Sequence, residues 1–98
     1  MDEKITCIAQ FIAKKEKTEL LKQSLMTLIA PTRKEEGCMS YSLHENTEDS
    51  TILTMIEVFK NQDAFDFHSK QPYLEEFKKS VGTLIDSVNV AMYKEVQA

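Results

Sequence analysis

The chain has 98 residues and a formal net charge of −4, which together exclude several classes of protein. A chain this short forms one domain with a thin margin of stability, so residues 1–98 are expected to fold as a single unit. The mild negative charge argues against a broad phosphate-binding surface, and no nucleic-acid partner is expected. No run of about 20 apolar residues could span a membrane and no secretory signal pattern is present, so we expect a cytoplasmic protein.

The sequence also lacks the motifs of several common ligand sites. Cys7 and Cys38 have no CxxC spacing and lie in predicted strands, so we expect small buried hydrophobes in a reducing compartment. With Gly37 and Gly82 as its only glycines, the chain has no glycine-rich phosphate loop. It has no HExxH motif and no Cys–His cluster, so no metal site is expected. Without a disulfide, dimerisation is the natural remaining source of stability.

The first predicted element is a strand over residues 4–13, where side chains alternate between two faces. One face consists of Ile5, Cys7, Ala9 and Phe11. The other face still carries Ile8 and Ile12, although the solvated face of an antiparallel sheet normally carries polar residues. We therefore expect something to cover that second face.

A helix is predicted over residues 15–36, because apolar side chains recur there at helical spacing. Its inward stripe is Leu21, Leu25, Leu28 and Thr32, with Leu20 and Ile29 beside it. Pro31 conflicts with a continuous helix, because proline removes a backbone hydrogen bond and collides with the preceding turn, at about 3 kcal/mol. We expect a kinked or interrupted helix, with Gly37 as its stop signal.

Residues 38–45 and 51–59 are predicted to pair as an antiparallel hairpin, because a turn-forming cluster over residues 46–50 connects them. In the first strand, Met39, Tyr41 and Leu43 share one face. The second strand is apolar on both faces, which indicates a buried central strand. Glu57 interrupts it, and a buried carboxyl needs a partner or a shifted pKa. One alternative is an ion pair with a lysine or arginine, from this chain or from a second subunit. The other is that Glu57 orients His68 or a ligand.

Two helical segments and a strand are predicted to complete the chain. Asn61 can cap a helix that carries Ala64, Phe65 and His68 on one face. Pro72 breaks that helix, and residues 73–82 resume it with Leu74, Phe77 and Val81 inward. Residues 86–96 alternate again as the last strand.

The predicted order of elements is strand, helix, strand, strand, helix, strand. This order predicts an α+β fold with the ferredoxin-like split βαβ arrangement, an antiparallel sheet with helices on one face. The other face would be bare, and burying each of its apolar side chains contributes about 1.5–3 kcal/mol. A second subunit, packed sheet against sheet, is the simplest cover.

His68 is the most suggestive candidate for chemistry. A half-buried imidazole is a usable base or hydrogen-bond donor near neutral pH, although a core histidine bound to a backbone carbonyl is an equal alternative. The aromatic side chains that accompany it are Tyr41, Phe59, Phe65 and Tyr73. They are most simply core residues, but in a cavity they would suit a flat organic ligand.

A joint pattern of residues runs through the middle of the chain. It comprises Ala30-Pro31-Thr32-Arg33, Glu35-Glu36-Gly37-Cys38, Tyr41, Leu43-His44, Glu57, Ala64-Phe65, His68 and Pro72. This pattern resembles the antibiotic biosynthesis monooxygenase family, whose members include small quinol monooxygenases. The resemblance covers nearly the whole chain, and it makes Pro31 a tolerated feature of the family.

The resemblance implies both an assembly and a reaction. The assembly is a dimeric α+β barrel, in which two ferredoxin-like subunits pack their sheets together. The reaction is oxidation of a quinol- or polyphenol-type aromatic by O₂, without metal, flavin or haem cofactor. His68 would be the catalytic residue that assists proton transfer, and the substrate-binding residues would be Tyr41, Glu57, Phe59, Phe65 and Tyr73. Phe59 stands where family members commonly carry tryptophan.

Two other functions stay open on the sequence. The same fold serves an isomerase of a small phosphorylated signalling metabolite, which would need cationic groups in its pocket. Other members of the family have no demonstrated activity, so a non-catalytic dimeric ligand-binding or stress-associated protein is the second alternative.

Overall fold

The computed structural model describes residues 3–98. Within that range the elements follow in the order β1 (Ile5–Ala13), α1 (Thr18–Met26), α2 (Ile29–Arg33), β2 (Cys38–Glu45), β3 (Ile52–Phe59), α3 (Gln62–Ser69), α4 (Pro72–Val81) and β4 (Ile85–Tyr93). The predicted α+β ferredoxin-like order is confirmed, and so are the two helix interruptions expected near Pro31 and at Pro72.

The four strands form one antiparallel sheet in the order β2-β3-β1-β4. β3 pairs on both sides, which confirms the prediction that the second hairpin strand is central. On the helix-covered face, three rows of residues cross from β3 through β1 to β4: Glu57–Cys7–Met92, Met55–Ala9–Val90 and Leu53–Phe11–Val88. The row that contains the polar side chains of Glu57 and Cys7 lies next to the Phe59–Ile5 pair, near one end of this face.

The core lies between this face of the sheet and the helices. Cys7, Ala9 and Phe11 are buried, as their alternation predicts. The helical stripe is also buried at every position: Leu21, Leu25, Leu28 and Thr32 are each at most 3 % exposed. Leu20, expected beside that stripe, is 54 % exposed and faces solvent instead.

The interruption near Pro31 is confirmed. α1 ends at Met26 and α2 begins at Ile29, so Pro31 lies in the first turn of a new helix. Backbone N–H groups in a first turn have no partner within the helix, and proline therefore costs no hydrogen bond there.

β2 departs from its predicted alternation. Cys38 lies opposite Phe59 while Ser40 lies opposite the adjacent Val58, so Met39 is an extra residue in a β-bulge. Met39 is 53 % exposed, and the prediction that it shares the buried face of Tyr41 was wrong. β4 is also shorter than predicted, because its pairing with β1 ends at Tyr93.

The segment between α2 and β2 packs closely against α3. A Cβ atom added at Gly37 would collide with Ala64, which lies in the first turn of α3. The N–H of Lys60 also donates to the Gly37 carbonyl at 2.9 Å. These contacts hold the end of β3, the start of α3 and the residues just before β2 close together.

The face of the sheet that the helices do not cover carries partly exposed apolar side chains: Ile8, Ile12, Ile52, Ile56 and Val58. This is the bare face that the sequence predicts, and its cover by a second subunit stays a prediction. Within residues 3–98, no helix has both the length and the apolar character that crossing a membrane requires.

Candidate functional site

His68 is placed by the helix that begins after Asn61. The Asn61 side chain accepts a hydrogen bond from the Ala64 N–H at 2.8 Å, so it caps α3 as predicted. One turn further on, helical spacing puts His68 on the face that packs against the sheet, where it is 2 % exposed. Its imidazole is therefore removed from bulk water.

One side of the His68 ring is fixed by Glu35, which is itself bound by Tyr73. Nδ1 of His68 lies 2.9 Å from Oε2 of Glu35, which is 9 % exposed. The Tyr73 hydroxyl donates to the same oxygen. A carboxylate oxygen that accepts from both groups holds the imidazole proton on Nδ1, which leaves the lone pair of neutral His68 on Nε2.

Tyr73 keeps its proton in this arrangement. Burial raises the pKa of Tyr73 above its ordinary value, and the hydrogen bond to Glu35 raises it further. The hydroxyl therefore acts as a donor across the neutral pH range. Glu35 is consequently held on two sides, and it in turn orients His68.

Glu57 faces the opposite nitrogen of the imidazole. Its Oε1 lies 3.7 Å from Nε2 of His68 and has no hydrogen-bond partner within residues 3–98. Burial, and then the charge of Glu35, raise the pKa of Glu57 to about 8, while a hydrogen bond with Cys7 acts in the opposite direction. The neutral carboxyl therefore predominates at pH 7. Among the partners that the sequence left open for Glu57, His68 is the one that lies beside it.

A cavity of about 400 Å³ opens beside these groups, between the sheet and the helices. Four buried side chains, Cys7, Tyr41, Glu57 and His68, form its buried polar lining, and Ser69 and Lys78 are the less buried polar residues that line it. Its walls are otherwise mainly apolar and include Ala9, Phe11, Met55, Phe65, Phe77 and Val90. Ligand sites in proteins commonly have this size and this combination of apolar walls with a few polar groups.

The six predicted site residues divide into two groups. Tyr41, Glu57, Phe65 and His68 line the cavity. Phe59 is fully buried behind His68, with ring centroids 4.9 Å apart, and Tyr73 binds Glu35; neither lines the cavity. Phe59 therefore contacts the site through His68, and Tyr73 contacts it through Glu35. Direct contact of either residue with a substrate stays a prediction.

Besides Cys7, which lines the cavity, the sequence interpretation missed Glu35 as a residue of the site. A signal was present, because the spacing of Leu28 and Thr32 continues three residues further to Glu35. The N–H of Glu35 donates to the Thr32 carbonyl at 3.0 Å, so the backbone keeps a helical turn past the end of α2. That turn directs Glu35 inward and leaves Glu36 exposed.

The ionisable groups of the site do not form a metal centre. Within residues 3–98, no three His, Cys, Asp or Glu side chains are arranged to hold a metal ion. Glu35 and Glu57 lie at different nitrogens of the His68 ring, so their oxygens do not converge on one point.

Comparison with known proteins places the chain among relatives. Residues 4–80 match the family model described as antibiotic biosynthesis monooxygenase. A Mycobacterium tuberculosis protein named "Putative monooxygenase Rv0793" is 32 % identical over 85 residues, which are 87 % of this chain and 83 % of that protein. An uncharacterized Synechocystis protein, sll1783, is 37 % identical over 95 residues, or 95 % of this chain. The chain spans 64 % of the length of that Synechocystis relative.

Solved structures share the fold over nearly the full chain. Protein SO0527 from Shewanella oneidensis is 33 % identical with a TM-score of 0.96, covering 100 % of this chain and 96 % of that one. PA3566 from Pseudomonas aeruginosa is 29 % identical with a TM-score of 0.94, covering 99 % and 98 %.

Proposed function

The chain belongs to the antibiotic biosynthesis monooxygenase family, and we propose that it is a cofactor-independent monooxygenase of a quinol- or polyphenol-type aromatic. The observation that carries this proposal is a buried imidazole, held by Glu35, beside a largely apolar cavity. The name of the Mycobacterium tuberculosis relative supports the same reaction class.

The first step in this proposal is deprotonation of the substrate. Nε2 of His68 carries the free lone pair, because Glu35 keeps the proton of the neutral ring on Nδ1. A quinol hydroxyl in the cavity donates its proton to Nε2, and the imidazolium that forms is stabilised by the carboxylate of Glu35. The resulting anion is far more easily oxidised than the neutral quinol.

The second step is transfer of electrons from this anion to O₂. One oxygen atom forms a bond to a ring carbon, the O–O bond breaks, and the other atom leaves as water. A hydroquinone and one O₂ therefore give one hydroxyquinone and one water, and all four electrons come from the quinol. The substrate is its own reductant, so the balance needs no further redox partner.

The surroundings of His68 suit both steps. The mainly apolar walls of the cavity limit the water that could intercept a reactive intermediate. Glu57, in its neutral form, can donate a hydrogen bond to a substrate oxygen, while Tyr41 and Phe65 bound the space for the ring. Phe59 and Tyr73 would support the substrate site from behind His68 and Glu35.

We propose that the working form is a homodimer with the geometry of an α+β barrel. The partly exposed residues Ile8, Ile56 and Val58 lie on the face of the sheet that lacks a helical cover. Burying such side chains against a second copy contributes roughly 1.5–3 kcal/mol each. That contribution is large for a chain of this length, which has no disulfide among its described residues.

Oxygen uptake with a panel of hydroquinones tests the proposed reaction. We expect turnover by the protein and a loss of about 10²- to 10⁴-fold in His68→Ala, the range that general-base catalysis contributes. His44→Ala is the matched control, because His44 pairs with Ser42 on an exposed part of β2. Turnover that is undiminished in His68→Ala would contradict the proposal. Binding of a quinol without any oxygen uptake would identify a ligand-binding protein instead.

A further inference from the structure

The cavity has a polar end that is closed to solvent. Cys7, Tyr41, Glu57 and His68, here called the head end, are each at most 5 % exposed. Oε1 of Glu57 belongs to this end and has no partner within residues 3–98. A buried polar oxygen without a partner costs roughly 1–3 kcal/mol, and a ligand hydroxyl would relieve that cost.

From the head end, the floor of the cavity crosses the sheet towards its edge. The lining includes Tyr41 on β2, Met55 on β3, Ala9 on β1 and Val90 on β4. Neighbouring strands lie about 4.8 Å apart, so Val90 is about 10 Å across the sheet from β3. Between the head end and β4 the floor is formed by the apolar members of the crossing rows.

The opposite end of the cavity is open and apolar. Val88 and Val90 of β4 are 48 % and 56 % exposed, although they lie on the helix-covered face of the sheet. Lys78, the cation in the lining of the cavity, is engaged elsewhere: its Nζ donates to the Ser69 carbonyl at 3.1 Å and lies 3.7 Å from Glu75. This end of the cavity therefore offers an apolar surface to a ligand substituent.

We propose that the cavity selects a single-headed ligand, a phenol or quinol with an apolar substituent that enters hydroxyl first and leaves its tail over Val88 and Val90. This inference rests on the proposed function in one respect, namely that the hydroxyl-bearing ring of the ligand is a quinol. It adds an orientation and a substrate class, the tail-bearing phenols, and it makes Val90 a specificity-determining residue.

Para-alkylphenols test the binding mode without turnover, because they lack the second hydroxyl that oxidation to a quinone requires. Calorimetric affinities of para-cresol and para-butylphenol are compared. We expect the affinity to rise by up to about fourfold for each added methylene that remains in the cavity. Butylbenzene, which has no hydroxyl, should bind about tenfold more weakly than para-butylphenol.

Val90→Thr keeps the shape and the β-branching of the side chain but adds a hydroxyl at the mouth. We expect it to weaken the binding of para-butylphenol severalfold and to leave the affinity for para-cresol unchanged, because only the longer ligand reaches β4. Val96→Thr is the matched control, since Val96 is 89 % exposed and lies beyond β4. Equal effects of Val90→Thr on both ligands, no effect on either, or no dependence on tail length would overturn the inference.

The same ligands separate this inference from the proposed reaction. If para-butylphenol binds as stated while butylhydroquinone binds but consumes no oxygen, the proposed function fails and the binding mode stands. If hydroquinones are turned over with no dependence of affinity on their tails, the binding mode fails and the proposed function stands.

Discussion

Glu57 is a single residue whose protonation should be visible in the stability of the whole protein. Burial raises its pKa from an ordinary 4.5 to about 8. Between these values the folded chain holds a proton that the unfolded chain has released, so the stabilising contribution is complete below about pH 4.5 and is lost as the pH rises towards 8. The slope of the unfolding free energy can reach about 1.4 kcal/mol per pH unit.

Glu57→Gln should remove that slope. Denaturant unfolding from about pH 5 to pH 8 is expected to show wild-type stability falling relative to the variant. Glu76→Gln, on the exposed side of α4, should follow the wild-type profile. Parallel profiles for wild type and Glu57→Gln would show that the carboxyl is not held neutral by its surroundings.

Glu35 should act through His68 and without touching the substrate. Glu35→Gln keeps the size of the side chain but loses the charge that fixes the imidazole proton on Nδ1. We expect kcat to fall by about 10- to 100-fold with little change in KM, the size of effect seen for groups that orient a ligating or catalytic histidine. Glu36→Gln is the control because Glu36 is exposed.

Nitrogen NMR of the His68 ring distinguishes this role from simple packing. The wild type should show the proton on Nδ1, and Glu35→Gln should show a mixture of tautomers. An unchanged tautomer together with an unchanged kcat would show that Glu35 does not position His68.

At this scale the sequence placed His68 directly, whereas for its partner it offered only the spacing that continues from Leu28 and Thr32 to Glu35. The spacing of Ala64, Phe65 and His68 is local, so helix periodicity alone places the imidazole inward. Glu35 meets His68 across 33 residues of chain. Which of two adjacent glutamates turns inward depends on the backbone after α2, and composition does not report it.

The junction between α2 and β2 is the element that brings Glu35 to α3. Gly37→Ala would push a methyl group into Ala64, so the junction or α3 must shift. We expect a destabilisation of about 1–3 kcal/mol, as for other overpacked sites, measured by denaturant unfolding.

Gly82→Ala is the matched control for Gly37→Ala, because it makes the same change of residue at an open position. Nothing lies within 4 Å of a Cβ at Gly82, and its φ of −56° is one that alanine adopts freely. We expect a stabilisation of about 0.4–1 kcal/mol from the reduced freedom of the unfolded chain. Equal effects of the two substitutions would mean that the junction does not constrain α3.

The elements could be predicted where the sequence signal is local. The prediction failed where the structure depends on the pairing between strands. Pro31 predicted the division between α1 and α2, because proline geometry acts on its own turn. Met39 was misplaced because a β-bulge is a property of the pairing between β2 and β3, and no residue type in β2 announces it.

The whole molecule is expected to be a dimer through the face of the sheet that the helices leave bare. Ile56→Glu would place a charge in that interface, and a buried unpaired charge costs several kcal/mol. Sedimentation velocity at micromolar concentration should show a dimer for the wild type and a monomer for Ile56→Glu. Leu20→Glu, at a 54 % exposed position on α1, should remain dimeric. A monomeric wild type would refute the assembly.

The overall arrangement followed from the order of elements, since few topologies accommodate strand, helix, strand, strand, helix, strand. The cavity did not follow from it. Its floor needs the register that aligns Glu57 with Cys7, and its mouth exists because Val88 and Val90 extend beyond the helical cover. Both depend on distances between elements, which periodicity within an element does not contain.

We propose that this chain inserts one atom of O₂ into a quinol. Incubation of butylhydroquinone under ¹⁸O₂, followed by mass spectrometry, tests it most directly. We predict a hydroxyquinone that carries one ¹⁸O atom, equal labelling of the water released, and loss of the labelled product in His68→Ala. An unlabelled quinone with hydrogen peroxide, formed at the same rate with and without the protein, would contradict the claim.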